Sequence, residues 1–358
     1  MAQLQTDPAP ETSEGPGIDD YAARLAPLNA VPGWLLFADY FHRTPVPEIL
    51  PAHWRYRDLR PYVLEAGQVV SSEQAERRVV TLENPGTPGR AGITRTMTGG
   101  LQLVLPGEMA PTHRHTSSAF RFVIEGSLAS TTVDGEKASM RPGDFVVTPP
   151  WAWHDHRNVG DLPMIWLDGL DLHLVNYFDA GFFENHAQRE QDITRAEGTS
   201  DAEAGHNLLP VSSTSGTVPR SPLYAYPYSR SREVLDQLSR STGPDPWHAY
   251  KMKYISPTTG TWPLPTIATT IQLLPGGFST RPYRSTESAV FVVVEGHGES
   301  TIDGQRFAWE QHDIIVAPSW ATHTHTASAD SVIFSYSDRA AHEALHLFRE
   351  DRLWEESR

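Results

Sequence analysis

The sequence contains no cysteine. That excludes disulfides, thiolate metal ligands and cysteine nucleophiles, so a bound metal would need imidazole or oxygen ligands. No apolar run reaches the ~18 residues that a membrane-spanning helix requires. The opening segment, MAQLQTDPAPETSEGPG, is acidic and proline-rich. It has no basic stretch followed by an apolar core, so it does not read as a secretory signal, and the cytoplasm is the expected compartment. Cationic charge is scarce: 29 Lys+Arg stand against 44 Asp+Glu, a formal net charge of −15. A surface of that sign repels phosphate backbones and argues against nucleic-acid binding. It leaves room for a small anionic ligand, because a local arginine outweighs a distant, screened field.

What is present points to a β-rich globular chain. The 358 residues suffice for two modules of ordinary size, and 29 prolines and 26 glycines favour many strands and turns over long helices. Residues 1–65 read as a flexible tail (1–17), then one amphipathic stretch, DDYAARLAPL, in irregular aromatic sequence. Over 66–185 short alternating runs (RRVVTLE, LQLVL, AFRFVIEG, ASTTV, DFVVT, MIWLDGL) are separated by turn signals such as NPGTPG, DGE and RPGD. Residues 186–262 read as a linker, with AQREQDITRAEG and SREVLDQLSR as helices and SSTSGTVPRSP as a loop. Strand patterns return over 263–340, and 341–358 read as a C-terminal helix. Regularly spaced alternating runs predict antiparallel sandwiches or barrels.

The two β regions are copies of one module. LQLVLPG answers IQLLPGG, FRFVIEG answers VFVVVEG, TTVDG answers STIDG, and DFVVTPPWAWHDH answers DIIVAPSWATHTH. Asp134 and Asp303 are 169 residues apart, as are His154 and His323. A fixed offset through several matched segments marks an internal duplication.

The stretch APTHRHTSSAFRF carries the candidate chemistry. On a strand, residues i and i+2 share a face, so His113 and His115 project together and can close on one metal. His154, in PPWAWHDHRN, is the candidate third ligand. An isolated HxH is more often a half-exposed strand feature than a metal site. Here the second copy serves as a control. Its segment GGFSTRPYRSTES offers Pro282 and Arg284, or Tyr283 and Ser285 if shifted by one, and neither alignment supplies an imidazole pair. Loss of the pair from one copy suits a site that only the other needs. Arg121 lies six residues past His115, which parity places on the same inward face, and a guanidinium matches a carboxylate geometrically.

These residues resemble a known family. Gly107, His113 and His115, followed by Gly143, Pro149, His154 and Asn158, follow the spacing of the two cupin motifs. Trp151 stands where a small residue is usual, and the glutamate often found after HxH is missing, its place falling at Ala119. The chain is similar to bicupins, which are two all-β double-stranded β-helix (jelly-roll) barrels with flanking short helices. Among them it most resembles the gentisate 1,2-dioxygenase group, which includes salicylate and 1-hydroxy-2-naphthoate dioxygenases. HRHTSSAFRFVIEG, TPPWAWHDHRN, WLDGLD and PYRSTESAVFVVVEG carry the likeness.

The resemblance implies a ring-cleaving, non-heme Fe(II) dioxygenase. Its iron would be held by His113, His115 and His154, with an aromatic carboxylate and O2 as reactants. It gives Arg121 the substrate carboxylate. His156 shares the face of His154 by its spacing and reads as an acid–base group that hydrogen-bonds substrate or bound oxygen, with a further ligand as the alternative and Asp168 as its candidate orienting partner. Gly100 and Gln102 match pocket positions, and Arg77 or Arg78 would be a second anchor. Thr98 departs from the family, whose gentisate and salicylate enzymes usually carry a tyrosine or tryptophan there. A smaller residue enlarges the pocket and turns attention to 5-substituted salicylates and 1-hydroxy-2-naphthoate. The resemblance also implies a homotetramer, with a dimer as the alternative. Rival readings are an oxalate-decarboxylase- or quercetinase-like metal bicupin, or a non-catalytic bicupin.

Overall fold

In a computed structural model, residues 17–206, 210 and 221–352 are described. Most of the expected N-terminal tail and of the SSTSGTVPRSP loop lies outside these residues. The chain divides into a small unit ending at Val46 and a large one from Pro47 onward. In the small unit, helix Ile18–Leu25 opens with Asp19 and Asp20, where carboxylates favour the N-terminal dipole. It is followed by single turns at Ala26–Leu28, Gly33–Leu35 and Phe37–Tyr40. Among the described residues no helix is long and apolar enough to cross a membrane.

The large unit contains two barrels, each built from a six-stranded and a five-stranded antiparallel sheet. Barrel one is centred on strands Thr98–Val104, Met109–His115, Ala119–Glu125, His154–Asn158 and Met164–Leu170. Barrel two repeats the plan with Ala268–Leu274, Tyr283–Ser285, Ala289–Glu295, His323–Ala327 and Ser331–Ser337. The local code is the same in both. Asp134-Gly135 and Asp303-Gly304 hold φ of 45° and 79°, and 45° and 80°. This left-handed pair is what a two-residue hairpin requires, and a β-branched residue there would be strained.

The barrels pack back to back through residues that alternate with those facing the cavities. Phe122 stacks on Phe334 with centroids 4.2 Å apart, and Phe120 meets Tyr336 edge-on at 4.8 Å. All four are at most 1% exposed, and each buried aromatic of this size contributes roughly 1.5–3 kcal/mol.

Several boundaries differ from expectation. Strand Ala52–Trp54, within the stretch read as irregular, pairs with Ile314–Ala317 and belongs to barrel two. Ala225–Tyr226, within the expected linker, pairs with Phe145–Thr148 of barrel one. Tyr250–Lys253, also in that linker, is an edge strand of barrel two. Each barrel thus completes a sheet with a strand drawn from outside its own module. SREVLDQLSR lies in helix Tyr228–Ser241, but AQREQDITRAEG is not helical. Its groups are held by barrel one instead: Thr112 N–H donates to the Arg189 carbonyl, and the Gln191 side chain bonds Asp155, Gly135 and the Thr132 carbonyl. The expected C-terminal helix is only Arg339–Ala344; His346 then takes φ of 58°, and Glu350–Arg352 form a strand beside Tyr283–Ser285. Residues 353–358 lie outside the described chain.

Candidate metal and substrate site

Strand pairing sets the centre of barrel one. His113 lies opposite His154, and a register irregularity between Ala110 and His113 leaves His113 and His115 facing inward with Arg114 outward. Arg114 caps the outer surface: its guanidinium lies 4.5 Å from the Trp151 ring and 4.3 Å from Trp153, and its Nη2 pairs with Glu184 at 2.6 Å. This explains the tryptophan at a position where small residues are usual, since Trp151 lies outside, over the arginine between the two histidines. Barrel two repeats the arrangement, with Arg284 lying 4.8 Å from Trp320.

One donor nitrogen from each of His113, His115 and His154 falls within a common span of 4.8 Å. The ring tautomers suit this convergence. His115 Nδ1 lies 2.8 Å from the Ser117 carbonyl and His154 Nδ1 3.0 Å from the Ala152 carbonyl, so these nitrogens donate and the Nε2 lone pairs turn inward. His113 Nε2 lies 3.0 Å from His154 Nε2. Burial, then the nearby Arg77, His115 and Arg121, lowers His113 to about 2. Burial and Arg121 lower His115 to about 4, and His154 falls well below the usual histidine range for the same reasons. All three are therefore neutral at pH 7, the form that ligates a metal. The site fits a metal with nitrogen ligands and open positions.

Around the triad is a cavity of about 340 Å³, lined by Arg77, Thr98, Gly100, Gln102, Arg121 and Asp168 among others. A larger, mainly apolar groove of about 510 Å³ beside helix Tyr228–Ser241 holds no histidine, so the chemistry lies in the smaller one. Arg121 is 3% exposed. Its Nη1 donates to Thr148 Oγ1, and its Nε faces Asp168 Oδ1 at 3.4 Å but makes no aligned hydrogen bond. Donor capacity therefore remains for a ligand oxygen. Gln102 Nε2 is likewise buried without a partner. Arg77 Nη2 donates to the Pro111 carbonyl at 2.8 Å and approaches His113 Nε2 at 3.4 Å, and burial lowers its pKa to about 9.

Four expectations change here. Arg121 and His115 lie on different strands, Ala119–Glu125 and Met109–His115, with a turn between them; they face one cavity from two sheets. Arg78 is no anchor: both its terminal nitrogens bond Glu108 at 2.8 Å and its Nε bonds the Val70 carbonyl, so it ties strand to loop. Asp168 does not orient His156. Its Oδ1 accepts from Trp166 Nε1 at 3.0 Å and faces Arg121, while His156 Nδ1 pairs with Thr131 Oγ1 at 2.8 Å. His156 is fully buried beside Trp166, and its Nε2 has no partner. Finally, Val79, Thr81, Ala91, Leu170, Leu172 and His173 also line the cavity and were not anticipated. Alternation from Arg77 through Val79 to Thr81 was the available signal; the residues around 172 follow a strand end and carried none.

Two jelly-roll barrels in one chain, one with three convergent imidazoles, define a metal-site bicupin. Residues 100–170 and 269–335 match the Cupin domain model. The chain is 46% identical to gentisate 1,2 dioxygenase 1 of Aquipseudomonas alcaligenes over 93% of this chain and 96% of that protein. It is 32% identical to 5-aminosalicylate 1,2-dioxygenase of Comamonas sp, with coverage of 91% and 88%. Among solved structures, salicylate 1,2-dioxygenase of Pseudoaminobacter salicylatoxidans with gentisate superposes with a TM-score of 0.88 at 32% identity, covering 96% of each chain. The chain belongs to the gentisate 1,2-dioxygenase family and is a ring-cleaving dioxygenase, an oxidoreductase.

Proposed function

We propose that this dioxygenase uses Fe(II) to open the ring of gentisate or a 5-substituted salicylate between the carboxyl- and hydroxyl-bearing carbons. The observation that carries this reading is one cavity holding a convergent neutral imidazole triad and an arginine with unused donors. Gentisate and 5-aminosalicylate, named for the relatives above, unite a carboxylate with an ortho hydroxyl, a pair that can chelate a metal while the carboxylate meets Arg121. Iron(II) bound by His113, His115 and His154 would supply the redox link between O2 and the electron-rich ring.

The chain's own residues hold and orient. Arg121 fixes the carboxylate, Arg77 adds positive charge beside it, and Gln102 Nε2 offers a further donor. Asp168 keeps Arg121 in place. His156 Nε2, buried next to His154 and without a partner, is the nitrogen that would accept the proton released by the substrate's ortho hydroxyl. Retention of a triad in one barrel only weighs against an oxalate-decarboxylase-like bicupin, which keeps ligands in both copies. A second substrate reading, 1-hydroxy-2-naphthoate, is favoured by Thr98, whose short side chain lines the cavity. We also propose a cytoplasmic homotetramer, or failing that a dimer; exposed Trp34, Phe37, Tyr40 and Phe41 offer apolar surface for assembly. Sedimentation analysis tests the assembly.

The test of function is anaerobic loading with Fe(II), then O2 uptake on gentisate, salicylate, 5-substituted salicylates and 1-hydroxy-2-naphthoate. Uptake on a hydroxybenzoate with a ring-opened product supports the reading, and no uptake on any of them refutes it. Thr98→Trp should depress turnover of the naphthoate more than that of gentisate.

A further inference from the structure

Arg121 has a neighbouring strand on either side. Sheet register sets Asp168 directly opposite it on one side and Val146 on the other. Thr148, two residues beyond Val146, therefore shares the face of Arg121 and lies diagonally across from it, within reach of a long side chain. Its hydroxyl is out of keeping with its strand. Phe145–Thr148 reads FVVT, and valine would suit a position only 1% exposed, where a hydroxyl is tolerated if it is hydrogen-bonded. That bond comes from Arg121 Nη1. Among the described residues it is the one aligned hydrogen bond that the guanidinium makes; Nε has none, although Asp168 lies 3.4 Å away.

Barrel two shows what goes with this contact. Strand register relates the barrels position by position. Phe291 takes the place of Arg121 and Ser335 that of Asp168. Ala317, opposite Ala289, takes the place of Thr148, opposite Ala119. The strand itself is kept, as the buried run IIVA of Ile314–Ala317. The hydroxyl has gone together with the arginine. Thr148 is thus tied to the arginine and not to the barrel. The two partners of Arg121 also do different things. A carboxylate facing Nε without alignment restrains charge, whereas a hydrogen bond from Nη1 fixes the plane of the guanidinium, and a fork that binds a carboxylate depends on that plane.

We propose that Thr148 is a positioning residue for the reaction: by holding Arg121 Nη1 it sets the plane in which the guanidinium meets the substrate carboxylate. The proposal rests on the reading that Arg121 binds that carboxylate. The test uses the Fe(II)-loaded enzyme with gentisate. Thr148→Val keeps the shape and removes the hydroxyl; it should raise KM for gentisate about tenfold, as loss of a hydrogen bond to a charged group does, and leave kcat within about twofold. Thr148→Ala, the residue that barrel two carries at this place, should do the same, and Thr148→Ser should restore the wild-type KM. Metal content should be unchanged in all three. In an Arg121→Gln background Thr148→Val should change KM less than about twofold, because the group it positions is gone. A loss that serine does not restore, or that persists without Arg121, would overturn the proposal and mark Thr148 as merely structural. A wild-type KM in Thr148→Val beside a defective Arg121→Gln would overturn this proposal alone. A wild-type KM in Arg121→Gln would overturn the carboxylate reading with it.

Discussion

The two barrels share a backbone plan and differ at a handful of inward positions. Where barrel one has His113, His115 and Arg121, barrel two has Tyr283, Ser285 and Phe291; only the third histidine persists, as His323. The features that make a barrel are duplicated: the Asp-Gly hairpins, the outward arginine beneath a tryptophan, and a histidine bonded to a hydroxyl (His156 to Thr131, His325 to Ser300). Packing and turn chemistry therefore fix the scaffold, and a few side chains of one parity decide whether it holds a metal. His156 belongs to both groups. Its hydroxyl contact recurs in barrel two, but a buried ring nitrogen without a partner is found at His156 and not at His325.

The sharpest test of that asymmetry is removal of equivalent histidines. His113→Ala or His154→Ala should eliminate bound metal and reduce turnover at least about 10⁴-fold, because the metal carries the redox step. His323→Ala should leave metal content and kcat within about twofold of wild type. Elemental analysis with O2-uptake kinetics would decide; equal losses from both barrels would end the comparison.

Next is the arginine that barrel two lacks. Arg121→Gln should lower kcat/KM for a hydroxybenzoate about 10²–10³-fold, the usual effect of deleting a buried charge-assisted contact, with metal content unchanged. A loss below about fivefold would mean that Arg77 holds the carboxylate instead.

Asp168 offers a smaller, pH-dependent difference, because Ser335 at the equivalent place cannot ionise. Burial raises its pKa to about 6 although Arg121 pulls it down. The folded state thus binds the proton more tightly than the unfolded chain, whose aspartates titrate near ~3.9. The resulting stabilisation is fully present below about pH 4 and lost as pH rises through about 6, at most about 3 kcal/mol. Urea unfolding of metal-free protein at pH 5 and 7 should show this slope in wild type, and Asp168→Asn should flatten it. An unchanged slope in the variant would place its origin elsewhere.

The smallest effect is expected at the seam between the barrels. The Tyr336 hydroxyl is buried without a hydrogen-bond partner. Tyr336→Phe should therefore raise stability, by about 1 kcal/mol, as an unsatisfied polar group disappears. A drop in Tm would show that the hydroxyl has an ordered partner.

The barrels, their duplication and the triad were legible in sequence because each depends on strand parity and fixed spacing. The exchanged edge strands Ala52–Trp54 and Ala225–Tyr226 were not: they span three and two residues, too short for any alternation to register. The choice between Arg77 and Arg78 depended on Glu108, a loop residue thirty positions away that takes both terminal nitrogens of Arg78. Nothing in the sequence near WLDGLD shows which side chain Asp168 faces, whereas sheet register places it directly opposite Arg121 and not beside His156. AQREQDITRAEG has helical composition, but its side chains and carbonyls find partners on barrel one, and tertiary contacts override a weak local preference.

The aromatic seam also sets the unit of folding. Phe120 and Phe122, on the strand that carries Arg121, are packed against Phe334 and Tyr336, on the strand that carries Ser335. Neither barrel can open without exposing the aromatic face that the other packs against it, so the two are expected to melt in one cooperative transition. A barrel that lost its metal ligands cannot then be deleted by truncation: it remains the rear support of the catalytic one, free to drift in its lining but not in its shape.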